Sequence, residues 1–192
     1  IHLCDQYRIA PQYHLPCKVL VGWVKVKTGQ IRQGIDEMRE VVDIIQHEAT
    51  RAHESYLQAI LSDVYLEVGL FDECKAILDQ AFQRIEETGE KTWLAEIYRL
   101  KGEYLVATKN PGDLAAAAFD KSMQLAFEQH ALSFQLRTAI SHAHWLHNTK
   151  KTKQARTLLS NIQNQFSEGL QSADLKRSAT LLKQLEYIPD YL

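Results

Sequence analysis

The stretch Leu61-Ser62-Asp63-Val64-Tyr65-Leu66-Glu67-Val68-Gly69-Leu70-Phe71-Asp72-Glu73-Cys74, continuing to Leu78 and Ala81, decides the architecture of this chain. It reads as the second half of one helix, a turn at Gly69, and a second helix. Cys74, Leu78 and Ala81 stand at i, i+4 and i+7, so small, large and small residues line one helical face and let a neighbouring helix approach closely. The same face recurs as Gly34, Met38, Val41, then as Ala115, Phe119, Ser122, and then as Ala155, Leu159, Ile162. The first members are spaced by 40, 41 and 40 residues. A fixed period of this size marks a repeat architecture, in which each unit is one supersecondary element that buries its apolar face against the next.

Working outward, each unit is expected to be a helix, a tight turn and a second helix. The turns are placed at Thr28-Gly29-Gln30, Val68-Gly69-Leu70, Lys109-Asn110-Pro111-Gly112-Asp113 and Asn148-Thr149-Lys150-Lys151. The breaks between units are placed at His47 to Thr50, Thr88 to Lys91 and Gln129 to Leu132. Gly29, Gly69 and Gly89 suit left-handed helix ends, and Pro111-Gly112 does not continue a helix. The repeats are drawn as 13–49, 50–91, 92–131 and 132–168 within a single domain of residues 1–192. Residues 1–12 are read as the remnant of a preceding unit, since the chain begins at Ile1 rather than Met. A last helix at 173–187, with Lys176, Arg177 and Lys183 on its outer face and Pro189 after it, reads as a cap.

Composition agrees with long helices. Eight Gly and four Pro in 192 residues leave few turn residues for the many connections of a sandwich or barrel, and 45% hydrophobic with 24% charged residues is the balance of a folded chain. A net charge of −2 gives no overall pull toward phosphate backbones or anionic membranes, so neither nucleic acid nor membrane is expected as a partner. The basic run Lys150-Lys151-Thr152-Lys153, without interleaved aromatics, reads as a solvated loop. Cys4, Cys17 and Cys74 are odd in number and form no CxxC, which argues against a disulfide framework or a zinc site and for a reduced, cytoplasmic setting. No apolar run approaches the ~18 residues of a membrane span, and no signal peptide opens the chain.

Leu61, Tyr65, Gly69, Phe71, Cys74, Leu78 and Ala81 resemble the tetratricopeptide consensus. The other units match it less fully, with Val21-Gly22 and Gly29 in the first, Leu100 and Tyr104 in the third, and Ala155 and Leu159 in the fourth. The period of about 40 exceeds that family's usual ~34 and implies longer helices. Two stretches, Trp93 to Leu105 (WLAEIYRLKGEYL) and Phe166 to Lys176 ahead of the Leu-rich last helix, are similar to the C-terminal repeat region of large bacterial signalling ATPases fused to nucleotide-cyclase or DNA-binding modules. The resemblance implies an all-α, tetratricopeptide-like right-handed superhelix of antiparallel helix pairs. It also implies a non-catalytic role as the interaction or effector-sensing segment of such a protein. The chain has no GxxxxGK[ST] loop and no cyclase-like aspartate pair, so no enzymatic activity and no cofactor are expected.

Candidate binding residues follow from the first helix of each pair, which would line a concave face. Aligned on the small residues of the second helices, that face would carry Trp23, Val26 and Lys27; Tyr56, Asp63 and Glu67; Tyr98 and Gly102; and Arg137, Ile140, His144 and His147. Aromatic residues and Arg are over-represented at binding hot spots, so a protein or peptide segment, another domain of the same protein or a small effector is the expected ligand. Against this, Trp23 and Tyr98 could equally be packing between units. Asp63 and Glu67 form an acidic strip without the enclosure that acid and base chemistry needs.

His142-Ala143-His144-Trp145-Leu146-His147 is the one cluster suggestive of a metal. His142 and His144 point about 200° apart on a helix, no Asp or Glu lies between Gln129 and Gln165, and no HExxH is present. Solvated histidines are favoured over a metal site, and a small metal-dependent enzyme is the remoter alternative. Glu96, Arg99 and Glu103, at i, i+3 and i+7, are read as an ion-pair ladder fixing neighbouring units. A homodimerisation module is the other alternative to ligand binding.

Overall fold

The computed structural model describes residues 6–7, 11–47 and 53–186. Among them are nine helices and no strand. They are α1 Pro11–Lys27, α2 Ile31–His47, α3 Glu54–Val68, α4 Phe71–Thr88, α5 Leu94–Ala107, α6 Gly112–Glu128, α7 Leu132–Asn148, α8 Thr152–Gln163 and α9 Ala173–Glu186. The chain divides into two compact units, Ile1–Trp93 and Leu94–Leu192. In the first unit α1 packs on α2, α3 on α4, and α3 also on α2 and α1; in the second, α5 packs on α6, α7 on α8, α7 also on α6 and α5, and α9 on both α7 and α8. The fold class is therefore all-α, built of adjacent helix pairs, as the repeat implies. Most of residues 1–10, the break after His47, Cys4, and the end of the capping helix with Pro189 lie outside the described residues.

The turn inside each pair is one structure used four times. A residue with positive φ follows the first helix, at Gly29 (92°), Gly69 (79°), Lys109 (55°) and Lys150 (64°). Each is part of the same pair of capping hydrogen bonds. Gly29 N–H donates to Val26 O and Gln30 N–H to Lys25 O; Gly69 and Leu70 donate to Leu66 and Tyr65, Lys109 and Asn110 to Val106 and Leu105, and Lys150 and Lys151 to His147 and Leu146. This Schellman arrangement satisfies carbonyls that the helix end would leave orphaned. Lysine stands in the left-handed position twice, at a cost that glycine avoids. In the third turn Pro111 sits just before the helix and Gly112-Asp113, read as turn residues, open α6 instead.

The small-large-small face forms the seams. Gly34, Met38, Val41, Cys74, Leu78, Ala81, Ala115, Phe119, Ser122, Ala155 and Leu159 are all buried, and only Ile162 is partly open. Each fully buried large side chain contributes up to about 1.5–3 kcal/mol of transfer free energy, so Met38, Phe119 and Leu159 are the natural anchors of their pairs. Two of these anchors sit over glycine. A Cβ at Gly22 would lie 2.6 Å from Met38 Cγ and 2.8 Å from the Gly34 carbonyl oxygen, and one at Gly102 would lie 2.5 Å from the Phe119 ring. Ser122, the third member of its triplet, donates to Ala95 O on α5 at 2.7 Å and shares a 2.7 Å hydrogen bond with Thr138 on α7. One small polar residue thus ties three helices.

The capping helix runs from Ala173 with Leu175, Ser178, Leu181 and Leu185 buried, and Lys176, Arg177 and Lys183 exposed. Its apolar stripe joins Leu136, Ile140, Ala143 and Leu159 in the core of the second unit.

Candidate functional site

In the first unit the candidates lie on the first helix of each pair. Trp23 on α1 is half-buried, and the Lys27 ammonium sits 5.4 Å from its ring centroid, a cation–π contact. Lys27 also pairs with Glu67 of α3, linking the two first helices at their exposed ends. Tyr56, at the start of α3, is half-buried against Trp93, with ring centroids 4.3 Å apart. Asp63 is half-buried one turn before Glu67. Trp23, Lys27 and Glu67 are thus brought into one cluster.

In the second unit the candidates separate. Tyr98 is half-buried with the Lys101 ammonium 5.9 Å from its ring centroid. Arg137 is held in an ion-pair network, its Nε donating to Asp174 of the capping helix at 2.8 Å and its Nη1 lying 3.7 Å from Glu96. Burial works against the Arg137 charge, but Asp174 and Glu96 outweigh it and hold its pKa above the ordinary arginine value. The Glu96, Arg99 and Glu103 ladder is the other half of this network. Arg99 lays its Nε–Nη2 edge on the Glu96 carboxylate at 3.0 and 2.7 Å, and its Nη1 donates to Glu103 at 2.7 Å and to Ser141 on α7 at 3.3 Å. Glu96 and Arg99 are both buried, and bidentate geometry of this kind is what a desolvated charge requires.

The histidines divide as their spacing implies. His142 stacks on Phe119 at 5.1 Å and meets Trp145 at a tilt, with centroids 5.5 Å apart, and burial, with Lys151 adding to it against the opposing pull of Asp120, pushes its pKa down. His144 is exposed, while His147 is half-buried and shares a 3.0 Å hydrogen bond with Thr152. No group of three or more His, Cys, Asp or Glu side chains among the described residues is arranged to hold a metal ion.

Three residues assigned to the binding face belong elsewhere. Val26 and Ile140 are core residues, and Gly102 is covered by Phe119. The turn of the third unit is one residue longer than the others, which shifts Gly102 in an alignment on the second helices, whereas Val26 and Ile140 lie on the buried faces of their own first helices. Sequence reasoning also missed a second periodic set. Gly22, Ser62, Gly102 and Ala143, spaced by 40, 40 and 41 residues, put one small buried residue at the same register position of each first helix. The same period that revealed the triplets would have revealed them.

Comparison with protein-family models, with curated proteins and with solved structures gives no match. The helix-pair architecture and the geometry above therefore carry the functional reading. Among the described residues no helix is long and apolar enough to cross a membrane.

Proposed function

We propose that this chain is a non-catalytic interaction module, tetratricopeptide-like in its repeats, that binds a protein or peptide segment on the first helices of its pairs. It would serve as the regulatory C-terminal part of a larger cytoplasmic signalling ATPase or cyclase-type protein. The observation that carries this reading is the half-buried aromatic ring with a lysine beside it, found at Trp23 with Lys27 in the first unit and at Tyr98 with Lys101 in the second. Such a ring offers rigid apolar area to a bound segment at low entropic cost. Binding would regulate an attached domain only if the ligand prefers one arrangement of that domain, since equal affinity for both shifts nothing.

Titration calorimetry of the chain against fragments of its parent protein tests the reading. Saturable binding that weakens by about tenfold or more in Trp23→Ala or Tyr98→Ala, a loss of about 1.4 kcal/mol, is the expected result. Absence of heat with every fragment, or affinity unchanged in both variants, contradicts it.

A further inference from the structure

Two turns of the second unit carry lysine where those of the first unit carry glycine. The left-handed position that closes each first helix is Gly29 (92°) and Gly69 (79°) in the first unit, and Lys109 (55°) and Lys150 (64°) in the second. A Cβ is disfavoured in that conformation, so each lysine is kept at a cost that glycine would remove. Strained positions of this kind cluster at binding sites and switch regions. The indole of Trp145, half-buried near the end of α7, borders both turns. A Cβ added to Gly112, just after Lys109, Asn110 and Pro111, would lie 3.4 Å from Trp145 Cζ2, and the Lys151 ammonium lies 5.6 Å from the indole ring centroid.

The run Lys150, Lys151 and Lys153, which by itself reads as a solvated loop, thereby gains Lys109 from one turn and Arg156 from the helix that follows the other. All five cations are exposed, and residues 108–114 and 145–156 hold one carboxylate, Asp113, against them. For four of them the reason is a span of acid-free sequence, since residues 129–167 contain no Asp or Glu. Lys25, Lys27, Arg39, Arg84, Arg99 and Arg137 each meet a carboxylate, whereas none of these five forms an ion pair among the described residues. Like charges gathered so closely repel one another, and an anionic partner removes that repulsion.

Charge and composition select the occupant. Leu114 is the one large apolar side chain exposed on these two segments, which gives a bilayer little to bury. The only aromatic ring there, Trp145, lies under Lys151 and against His142, so nucleic-acid bases have no open platform to stack on. A second copy of the chain answers the row less well than a partner does. Its α2 carboxylates alternate with Arg32 and Arg39, and Glu86, Glu87 and Glu90 at the end of α4 are followed by Lys91, with Glu90 already accepting from Ser55 at 2.8 Å. Neither is an unopposed acidic run to match five unpaired cations. We propose that the edge formed by Lys109, Lys150, Lys151, Lys153 and Arg156 is a docking surface for an acidic segment of a partner protein, a run of Asp and Glu residues. Long-range attraction speeds the encounter, and charge-assisted hydrogen bonds hold the segment in place. This surface is separate from the Trp23 and Tyr98 rings, and its failure would leave the reading above untouched.

The probe is a short, capped, fluorescein-labelled peptide of alternating Glu and Asp, titrated into the full chain and followed by anisotropy. Saturable binding that weakens with added salt is expected. The double variant Lys109→Gly with Lys150→Gly should bind about fivefold more weakly while melting at a higher temperature, so that the loss cannot come from unfolding. Lys153→Glu with Arg156→Glu, both at exposed positions, should weaken binding by about tenfold or more. Lys176→Glu with Lys183→Glu on α9 should leave it within about twofold. No binding by the parent chain overturns the proposal, as does equal binding of the same peptide made with Gln and Asn. Undiminished binding in the Lys153 and Arg156 variant overturns it, and so does an equal loss in the α9 variant, since the attraction would then be diffuse. Tighter binding of a single-stranded oligonucleotide of the same charge, or of anionic vesicles, would assign the edge to phosphates instead. A concentration-dependent oligomer in sedimentation equilibrium that the Lys153 and Arg156 variant abolishes would make a second copy the occupant and equally overturn it.

Discussion

The two units fill one repeat register with different chemistry. In the first, α1 and α2 meet backbone to backbone at Gly22 and Gly34 with Lys25, Glu37, Lys27 and Glu67 at the rim, and the buried Glu54 of α3 is met by Arg84 of its own pair at 3.1 Å. In the second, α5 keeps its glycine under Phe119 but sends Glu96 and Arg99 inside, where they join Ser141 and Arg137 of α7. The second helices hold the register in both, and the first helices are free to be aliphatic or ionic. That freedom lets a seam be close-packed in one place and hydrogen-bonded in another.

The largest expected effect breaks the ionic seam. Arg99→Ala leaves the buried Glu96 carboxylate to its longer 3.7 Å contact with Arg137, and removing one partner of a buried pair costs about 3–5 kcal/mol. Urea unfolding of the second unit should show it. Next comes the close-packed seam. A Cβ in Gly34→Ala would stand 2.4 Å from the Gly22 carbonyl oxygen and 2.9 Å from the Val26 nitrogen, both backbone atoms, so the helices must separate. A loss of about 1–3 kcal/mol in the same measurement on the first unit is expected.

The ionic seam was partly legible in the sequence. Glu96, Arg99 and Glu103 announce themselves by spacing within one helix. The role of Arg137 was not legible, because its partner Asp174 lies 37 residues away and no local pattern points to it. The triplets were legible for the opposite reason. Each second helix buries a stripe of small and large residues whose order survives from unit to unit, whereas the first helices bury several faces at once and blur any single period. Hence Val26, Gly102 and Ile140 were assigned to a surface they do not reach, while Trp23, Lys27 and Glu67 were brought together by the fold.

Smaller effects sharpen the comparison. Burial holds the folded His142 pKa below its ordinary 6.5, so the unfolded chain takes up a proton first as pH falls. The stability of the second unit should therefore drop as pH goes from 7 through 6.5 toward 5, and His142→Phe should flatten that slope in thermal melts recorded across the range. Lys150→Gly relieves a left-handed lysine and should stabilise the second unit by a few tenths to about 1 kcal/mol, seen as a higher Tm. Lys27→Ala removes a rim ion pair and an exposed cation–π contact with Trp23 in the first unit and should cost about 1 kcal/mol in urea unfolding.

The central claim is that one register runs through the described pairs, with the Cys17, Leu20, Val21 and Val24 stripe of α1 open where its counterparts Leu57, Leu61 and Val64 on α3 are covered. Thiol labelling at equivalent positions tests it most directly. With Cys4 and Cys74 replaced by Ala, native Cys17 is compared with Leu57→Cys and Ile97→Cys, each of the latter carrying Cys17→Ser. Cys17 should react as an exposed thiol, and the other two should be slower by on the order of a hundredfold or more, because they must wait for local opening. Equal labelling rates at the three positions, or protection of Cys17, would contradict the account.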